Sequence, residues 1–94
     1  MKQSPRNHVF RGKKYKIFCR PPKNRKHLGT CDFDVREIEI RPNLEGKERL
    51  DCIIHEALHA CFPDIDDDAI DETGTSISDL LIKFGYKETK GRNK

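Results

Sequence analysis

The sequence is poor in the residues that build a large hydrophobic core. Its 94 residues include no Trp, 7% are aromatic and 37% are charged. A chain of this length is expected to form one small domain that buries a low fraction of its surface. A core this thin often depends on a metal ion or a partner for part of its stability.

Long apolar segments and closely spaced cysteines are missing as well. No secretory hydrophobic segment follows Met1, and no apolar run approaches the length of a membrane span, so we expect a cytoplasmic protein without membrane contact. The four cysteines lack CxxC spacing, which argues against a zinc site made of cysteines alone, and a reducing compartment disfavours disulfides. Cys52 and Cys61 lie in an apolar helical pattern and are predicted to be small core residues.

Acidic residues are absent from residues 1–26, which contain ten Lys or Arg. From residue 50 onward, ten acidic residues outnumber five basic ones, so the net charge of +3 hides a basic head and an acidic second half. One interpretation is a solvated surface with a loose tail. The other is contact with nucleic acid or another polyanion through residues 1–26.

Two short strands are predicted near the N-terminus, and in the second of them Tyr15, Ile17 and Cys19 alternate with basic residues, as in a half-buried strand. They cover residues 9–11 and 14–19, with a turn at Gly12 between them. Residues 29–41 return to a strand pattern, and the part richest in β-forming residues is 35–41. These patterns predict a small N-terminal antiparallel sheet of three or four strands.

Two helices are predicted in the second half. The first covers residues 46–61 and ends before a proline, and the second covers about residues 67–84. Acidic residues at the start of the second helix suit the helix dipole. The elements together predict an α+β domain over residues 8–86, flanked by a flexible basic N-terminus at 1–7 and a polar tail at 87–94.

The first predicted helix carries the pattern His55-Glu56-Ala57-Leu58-His59. Residues four apart lie on one face of a helix, so the two imidazoles can bind one metal ion. Glu56 is about 100° around the helix from His55, where its carboxylate can take a proton from a metal-bound water. Zinc lowers the pKa of such a water to about 7, so the pattern is typical of zinc-dependent hydrolysis with Glu56 as the general base.

A catalytic zinc site usually has three protein ligands and a water molecule. No histidine follows His59, so a third ligand from downstream is expected to be an acidic residue. On the second helix, Ile70 marks the core face, and Glu72 lies about 200° away from it. This phase permits a ligand but does not select one. The candidates are Glu72, Asp66, Asp68 and Asp71.

The first helix resembles the active-site helix of the zincin metallopeptidases. In the thermolysin-like gluzincin branch, the third ligand is a Glu on the next helix, inside a run similar to Ile-Asn-Glu. The present chain has Ile70-Asp71-Glu72. The resemblance therefore implies one Zn²⁺ per chain, bound by His55, His59 and Glu72.

A closer resemblance is to small phage- and prophage-type HExxH proteins that are similar to SprT-like domains. They share a Gly-x-Cys-Asp stretch, an Ile-x-Ile strand and a His-Glu-Ala-Leu-His-Ala-Cys-Phe-Pro run, found here at residues 29–32, 38–40 and 55–63. The resemblance covers about residues 8–86. It implies a minimal zincin-like fold, a peptide or protein substrate and, for a phage-encoded protein, the cytoplasm of the host cell.

In zincins a strand at the sheet edge binds the extended substrate, and residues 35–41 are the candidate for this role. The alternative for these residues is an ordinary internal strand. The expected function is zinc-dependent hydrolysis of peptide bonds. The alternative function is that of a zinc-stabilised binding protein without catalysis, with nucleic-acid contact through residues 1–26.

Two supporting roles have candidates without a surrounding motif. A second group must stabilise the tetrahedral oxyanion, and Tyr86, His27 and Arg49 are the candidates. Metal-binding histidines also need a partner that orients the ring. Asp51 lies one helical turn before His55 and is the candidate for that partner.

Overall fold

The computed structural model describes residues 5–24 and 26–87, which form a four-stranded sheet followed by two helices. The strands are β1 (Arg6–Phe10), β2 (Lys13–Cys19), β3 (Gly29–Asp32) and β4 (Glu37–Ile40), and the helices are α1 (Gly46–Cys61) and α2 (Asp67–Lys83). The predicted α+β class and order of elements are confirmed. Most of the two predicted flexible ends, residues 1–4 and 88–94, lies outside the described residues. Among the described residues, no helix is both long and apolar enough to cross a membrane.

The sheet has the order β1-β2-β4-β3 and is mixed, whereas the sequence predicted an antiparallel sheet. β1 and β2 are antiparallel, as are β3 and β4, but β2 and β4 are parallel, with Ile17 opposite Ile38. The parallel pair arises because the chain forms β3 at the outer edge before it returns as β4 in the middle. Residues 35–41 therefore contain an internal strand, β4, and the edge on that side of the sheet is β3.

The turn between β1 and β2 lies at Arg11 and Gly12, in agreement with the prediction. Both residues have a positive φ, 50° and 83°, as in a two-residue hairpin turn of type I′. Phe10 and Lys13 pair on either side of the turn. β1 is thereby fixed as the other edge of the sheet.

The core lies between one face of the sheet and α1. Tyr15 and Ile38 from the sheet meet Cys52 and Ala60 from the helix, and all four are buried. The prediction of a core position is thus confirmed for Cys52, while Cys61 is half-buried. Among the described elements, no helix covers the opposite face of the sheet, so the layers are the sheet, α1 and α2.

Of the described elements, α2 packs against α1 alone. The Asp66 carboxylate caps α2 by accepting a hydrogen bond from the Ala69 backbone N–H at 2.8 Å. Gly74 lies where the helices meet, and a Cβ added to it would lie 3.7 Å from Ile54 and 3.8 Å from Leu58. This crossing brings the first half of α2 beside the histidines of α1.

Candidate metal centre

His55, Glu56 and His59 lie together near the middle of α1. Their ligand atoms all lie within 4.8 Å of one another. The Nε2 atoms of His55 and His59 are 3.1 Å apart. Two nitrogens on one tetrahedral zinc ion, each about 2.0–2.1 Å from it, would be roughly 3.3–3.4 Å apart. The two imidazoles are therefore spaced as two ligands of one zinc ion are.

The surroundings of His59 favour the form of imidazole that binds metal. Burial lowers the pKa of His59, and the neighbouring His55 lowers it further. A lowered pKa keeps the ring neutral, and the neutral ring is the metal ligand. The Phe33 ring meets the His59 ring edge to face, with centroids 6.5 Å apart, and so covers one side of the site.

Glu56 is buried between α1 and the edge strand β3. The residue is 6% exposed, and a Cβ added to Gly29 would lie 3.2 Å from the Glu56 Cγ atom. Burial raises the pKa of Glu56 to about 7, and the negative charges of Asp67 and Asp71 add to the rise. A carboxyl group with such a pKa can take up and return a proton near neutral pH, as a general base must.

Two aspartates of α2 approach the histidines. Asp71 Oδ1 lies 2.9 Å from His55 Nδ1, and Asp67 Oδ1 lies 3.4 Å from His59 Nε2. A carboxylate on Nδ1 fixes the orientation of a histidine whose Nε2 binds metal, so Asp71 occupies an orienting position. Asp67 lies instead beside an Nε2 atom, at about the separation of two ligands on one ion.

The structure does not bring Glu72 into this group. Glu72 is exposed and does not line the cavity around the histidines. Asp66 caps α2, and Asp68 is exposed outside the cavity. Of the four acidic candidates, Asp71 alone lies at the site, and it is joined by Asp67, which was not a candidate.

The helical phase of α2 separates Asp67 and Asp71 from Glu72. Relative to Ile70, Asp67 lies at about 60°, Asp71 at about 100° and Glu72 at about 200°. The first two residues therefore flank the apolar stripe that packs on α1, while Glu72 points away from that helix. Since the histidines are on α1, a side chain of α2 has to lie beside the packing stripe to reach them.

The site opens into a cavity of about 810 Å³ between α1, α2 and β3, called the metal cavity below. Lys26, His27 and Phe33 form its wall on the side of the sheet. Of the three candidates for oxyanion stabilisation, His27 lines this cavity, whereas Tyr86 and Arg49 line a different one. No motif in the sequence pointed to Lys26 or Phe33. They reach the cavity because they lie just before and just after β3, at the edge of the sheet.

Asp51, predicted to orient His55, has other partners. Its carboxylate accepts hydrogen bonds from the hydroxyl of the fully buried Ser78 and from the Lys47 ammonium, the latter at 3.0 Å. These contacts connect the start of α1 to the later part of α2. The orienting position beside His55 is held by Asp71 instead.

The basic residues in the described part of segment 1–26 do not form one patch. The strand alternation places Lys14 and Lys16 on the face of the sheet that carries no helix, and Lys13 on the opposite face. Lys26 lies at the metal cavity. Contact with nucleic acid through residues 1–26 stays a prediction.

Comparisons with known proteins add no relative to this description. No protein-family model, curated protein or solved structure matches the chain. The function is therefore inferred from the residues of the site and their geometry.

Proposed function

We propose that the protein is a zinc-dependent peptidase whose site is built on His55, Glu56 and His59. The observation that carries the proposal is the 3.1 Å separation of the two Nε2 atoms beside a buried glutamate. When bound, zinc lowers the pKa of a water molecule and polarises a carbonyl group. Glu56 then takes the proton of the attacking water and returns it to the leaving amine.

In this proposal, Asp67 is the third ligand and Asp71 orients His55. Asp67 is favoured because its carboxylate lies beside the Nε2 edge of His59, whereas Asp71 contacts Nδ1 of His55. The resemblance to gluzincins implied Glu72 in the ligand role. Here Asp67 takes that role instead, from the side of α2 that lies beside α1.

The edge strand β3 is the proposed docking strand for the substrate. The Arg41 backbone N–H donates to the Leu28 carbonyl at 2.9 Å, and the alternation of an antiparallel ladder then directs the backbone groups of Gly29 and Cys31 toward the open edge. An extended peptide can pair with these groups and place its backbone beside Glu56. His27 lies at the same cavity and is the proposed donor to the oxyanion.

Zinc content and peptide hydrolysis, measured on the same preparations, test the proposal. We expect one zinc ion per chain, loss of zinc in His55→Ala and His59→Ala, and retained zinc without hydrolysis in Glu56→Gln. Asp67→Ala should bind zinc more weakly, with Glu72→Ala as the matched control on the far side of α2. His27→Ala should keep its zinc and hydrolyse more slowly.

Three results would contradict parts of the proposal. Full zinc occupancy in His55→Ala would contradict the metal site itself. Full occupancy in Asp67→Ala, together with loss in Glu72→Ala, would return the ligand role to Glu72. Zinc binding without cleavage of any peptide in a broad library would support a zinc-stabilised binding protein instead of a peptidase.

A further inference from the structure

We propose that this site selects an extended cationic peptide, with Lys or Arg side chains entering a cleft on the outer face of β3. The inference rests on the proposed peptidase function, because it assigns the substrate class of the same site. It depends on the position of β3, which separates the metal cavity from a second cleft.

The second cleft, called the outer cleft below, has a volume of about 440 Å³ and lies on the face of the sheet opposite to α1. Thr30, Cys31 and Phe33 border both this cleft and the metal cavity, so β3 and the turn after it form the wall between them. Successive side chains of a strand point to opposite faces of a sheet. A peptide paired with the edge of β3 would therefore direct alternate side chains into the metal cavity and into the outer cleft.

The outer cleft carries more negative than positive charge. Glu39 is buried there and already satisfied, since it accepts hydrogen bonds from Arg20 Nε at 2.6 Å and from the Thr30 hydroxyl at 3.2 Å. Arg20 also reaches Glu37 at 3.7 Å. The cleft is lined by four carboxylates, two cationic side chains and one imidazole, which are Asp32, Asp34, Glu37 and Glu39 with Arg20, Lys23 and His27.

Asp34 is the carboxylate of this cleft best placed to meet a ligand. It is exposed, and its described hydrogen bond runs through its backbone N–H, which donates to Asp32 Oδ1 at 3.0 Å. The Asp32 carboxylate accepts that bond and another from the Val35 N–H at 3.4 Å, so it shapes the turn. A Lys or Arg side chain of the substrate would meet both charges.

The metal cavity selects less strongly for a cation. Besides Glu56, four carboxylates line this cavity, together with one ammonium group among the described residues, that of Lys26. Asp51 is paired with Lys47, and a bound divalent metal ion would offset two further negative charges. In the outer cleft, four carboxylates still outnumber the two cationic side chains of Arg20 and Lys23, so the preference for Lys or Arg should be strongest at substrate positions that point away from the metal. The four carboxylates of the metal cavity are Glu48, Asp51, Asp67 and Asp71.

Paired quenched fluorescent peptides test the inference. The two peptides are identical except that alternate residues around the cleaved bond are Lys in one and Glu in the other. The zinc-loaded protein should cleave the Lys peptide with a kcat/KM about tenfold higher or more. Asp34→Lys should abolish this preference because it leaves three carboxylates and three cationic side chains in the outer cleft, which cancels its negative balance. The matched control is Asp64→Lys, an exposed position that lines neither cleft, and it should keep the preference.

A binding measurement separates the failure of this inference from the failure of the proposed function. Fluorescence anisotropy of labelled Lys and Glu peptides on zinc-loaded Glu56→Gln protein reports selection without hydrolysis. Cleavage of both peptides at equal rates would overturn the cationic selection and leave the peptidase function standing. If neither peptide is cleaved, the broad peptide library decides the peptidase function, and anisotropy decides the selection alone. Tighter, salt-sensitive binding of the Lys peptide that Asp34→Lys removes would support it, and equal binding of the two peptides would overturn it.

Discussion

Nδ1 of His55 on α1 lies 2.9 Å from Oδ1 of Asp71 on α2. The contact occupies the ring nitrogen that faces away from His59, so Nε2 of His55 stays directed at its neighbour. It also joins the two helices at the level of the site. The carboxylate of Asp71 is 67% exposed, and its strength as a partner therefore depends on how firmly α2 is held.

Replacement of Asp71 by Asn should weaken zinc binding without removing a ligand. Loss of the carboxylate that orients a metal-binding histidine typically lowers affinity by about 10- to 100-fold. The measurement is a competition titration with a zinc chelator, and Glu72→Gln is the control because it removes the neighbouring charge on the far side of α2. Equal affinities for the two variants would contradict the orienting role.

The buried Glu56 should make the metal-free protein less stable as pH rises. Its pKa is raised from 4.5 to about 7 in the folded chain, so the folded state binds the proton more tightly than the unfolded state. Stability therefore falls between about pH 4.5 and pH 7, and the full penalty remains above that window.

Glu56→Gln removes this penalty because the amide does not ionise. In urea unfolding with a chelator present, the variant should exceed the parent in free energy of unfolding by up to about 3 kcal/mol at pH 8. At pH 4.5 or below, where the carboxyl group is largely protonated in the folded chain, the difference should shrink toward zero. A difference of the same size at both pH values would show that ionisation is not the cause.

Gly29 should not tolerate a larger residue. A Cβ at this position would lie 2.8 Å from Cys52 Sγ and 2.8 Å from the backbone oxygen of Glu39. Gly29→Ala therefore has to displace β3 from both α1 and the neighbouring strand β4, at a cost of about 1–3 kcal/mol. Thermal or urea unfolding measures this cost, and a variant as stable as the parent would contradict the close approach of strand and helix.

Gly74→Ala is expected to act in the opposite direction. A Cβ at Gly74 would meet its nearest neighbours at 3.7–3.8 Å, which is ordinary contact. Ala in a helix interior is favoured over Gly by about 0.5–1 kcal/mol, so α2 should gain stability. The same unfolding experiment serves both glycines, and destabilisation by Gly74→Ala would mean that α1 and α2 meet more closely than described.

Two thiols at the core should resist alkylation. Burial raises the pKa of Cys31 and of Cys52 to about 12. Since the thiolate is the reactive form, iodoacetamide at pH 8 should modify these two residues about a thousandfold more slowly in the folded protein than in urea. Peptide mass spectrometry follows each cysteine separately. Labelling of Cys52 at the same rate with and without urea would contradict its burial.

The helices could be predicted from the sequence more closely than the sheet. α1 has the predicted bounds, 46–61, because an apolar period of 3.6 residues and a following proline are local signals. The parallel pairing of β2 with β4 could not be predicted, because strand patterns give the period of a strand and not its neighbour. Because β4 pairs with β2 on one side and with β3 on the other, the edge strand is β3 and not residues 35–41.

The residues of the site also differ in how far the sequence predicts their positions. His55, Glu56 and His59 are brought together by the geometry of one helix, so their spacing along the chain was enough. The approach of Asp67 depends on how α2 crosses α1. The apolar spacing of α2 predicts which face of the helix packs on the core. It does not predict which edge of that face lies beside the histidines. Glu72 was therefore chosen from the resemblance to gluzincins.

The attachment of α2 has a consequence for how the metal is held. α2 touches α1 alone among the described elements, yet it carries Asp67 and Asp71. Detachment of this helix would leave the sheet and α1 assembled, so it is expected to be a local opening that costs less than global unfolding and can be followed by amide exchange. An ion bound between the helices would oppose that opening, and closure of α2 would in turn retain the ion. Metal release is then expected to follow the swing of one helix, with the rest of the domain still folded.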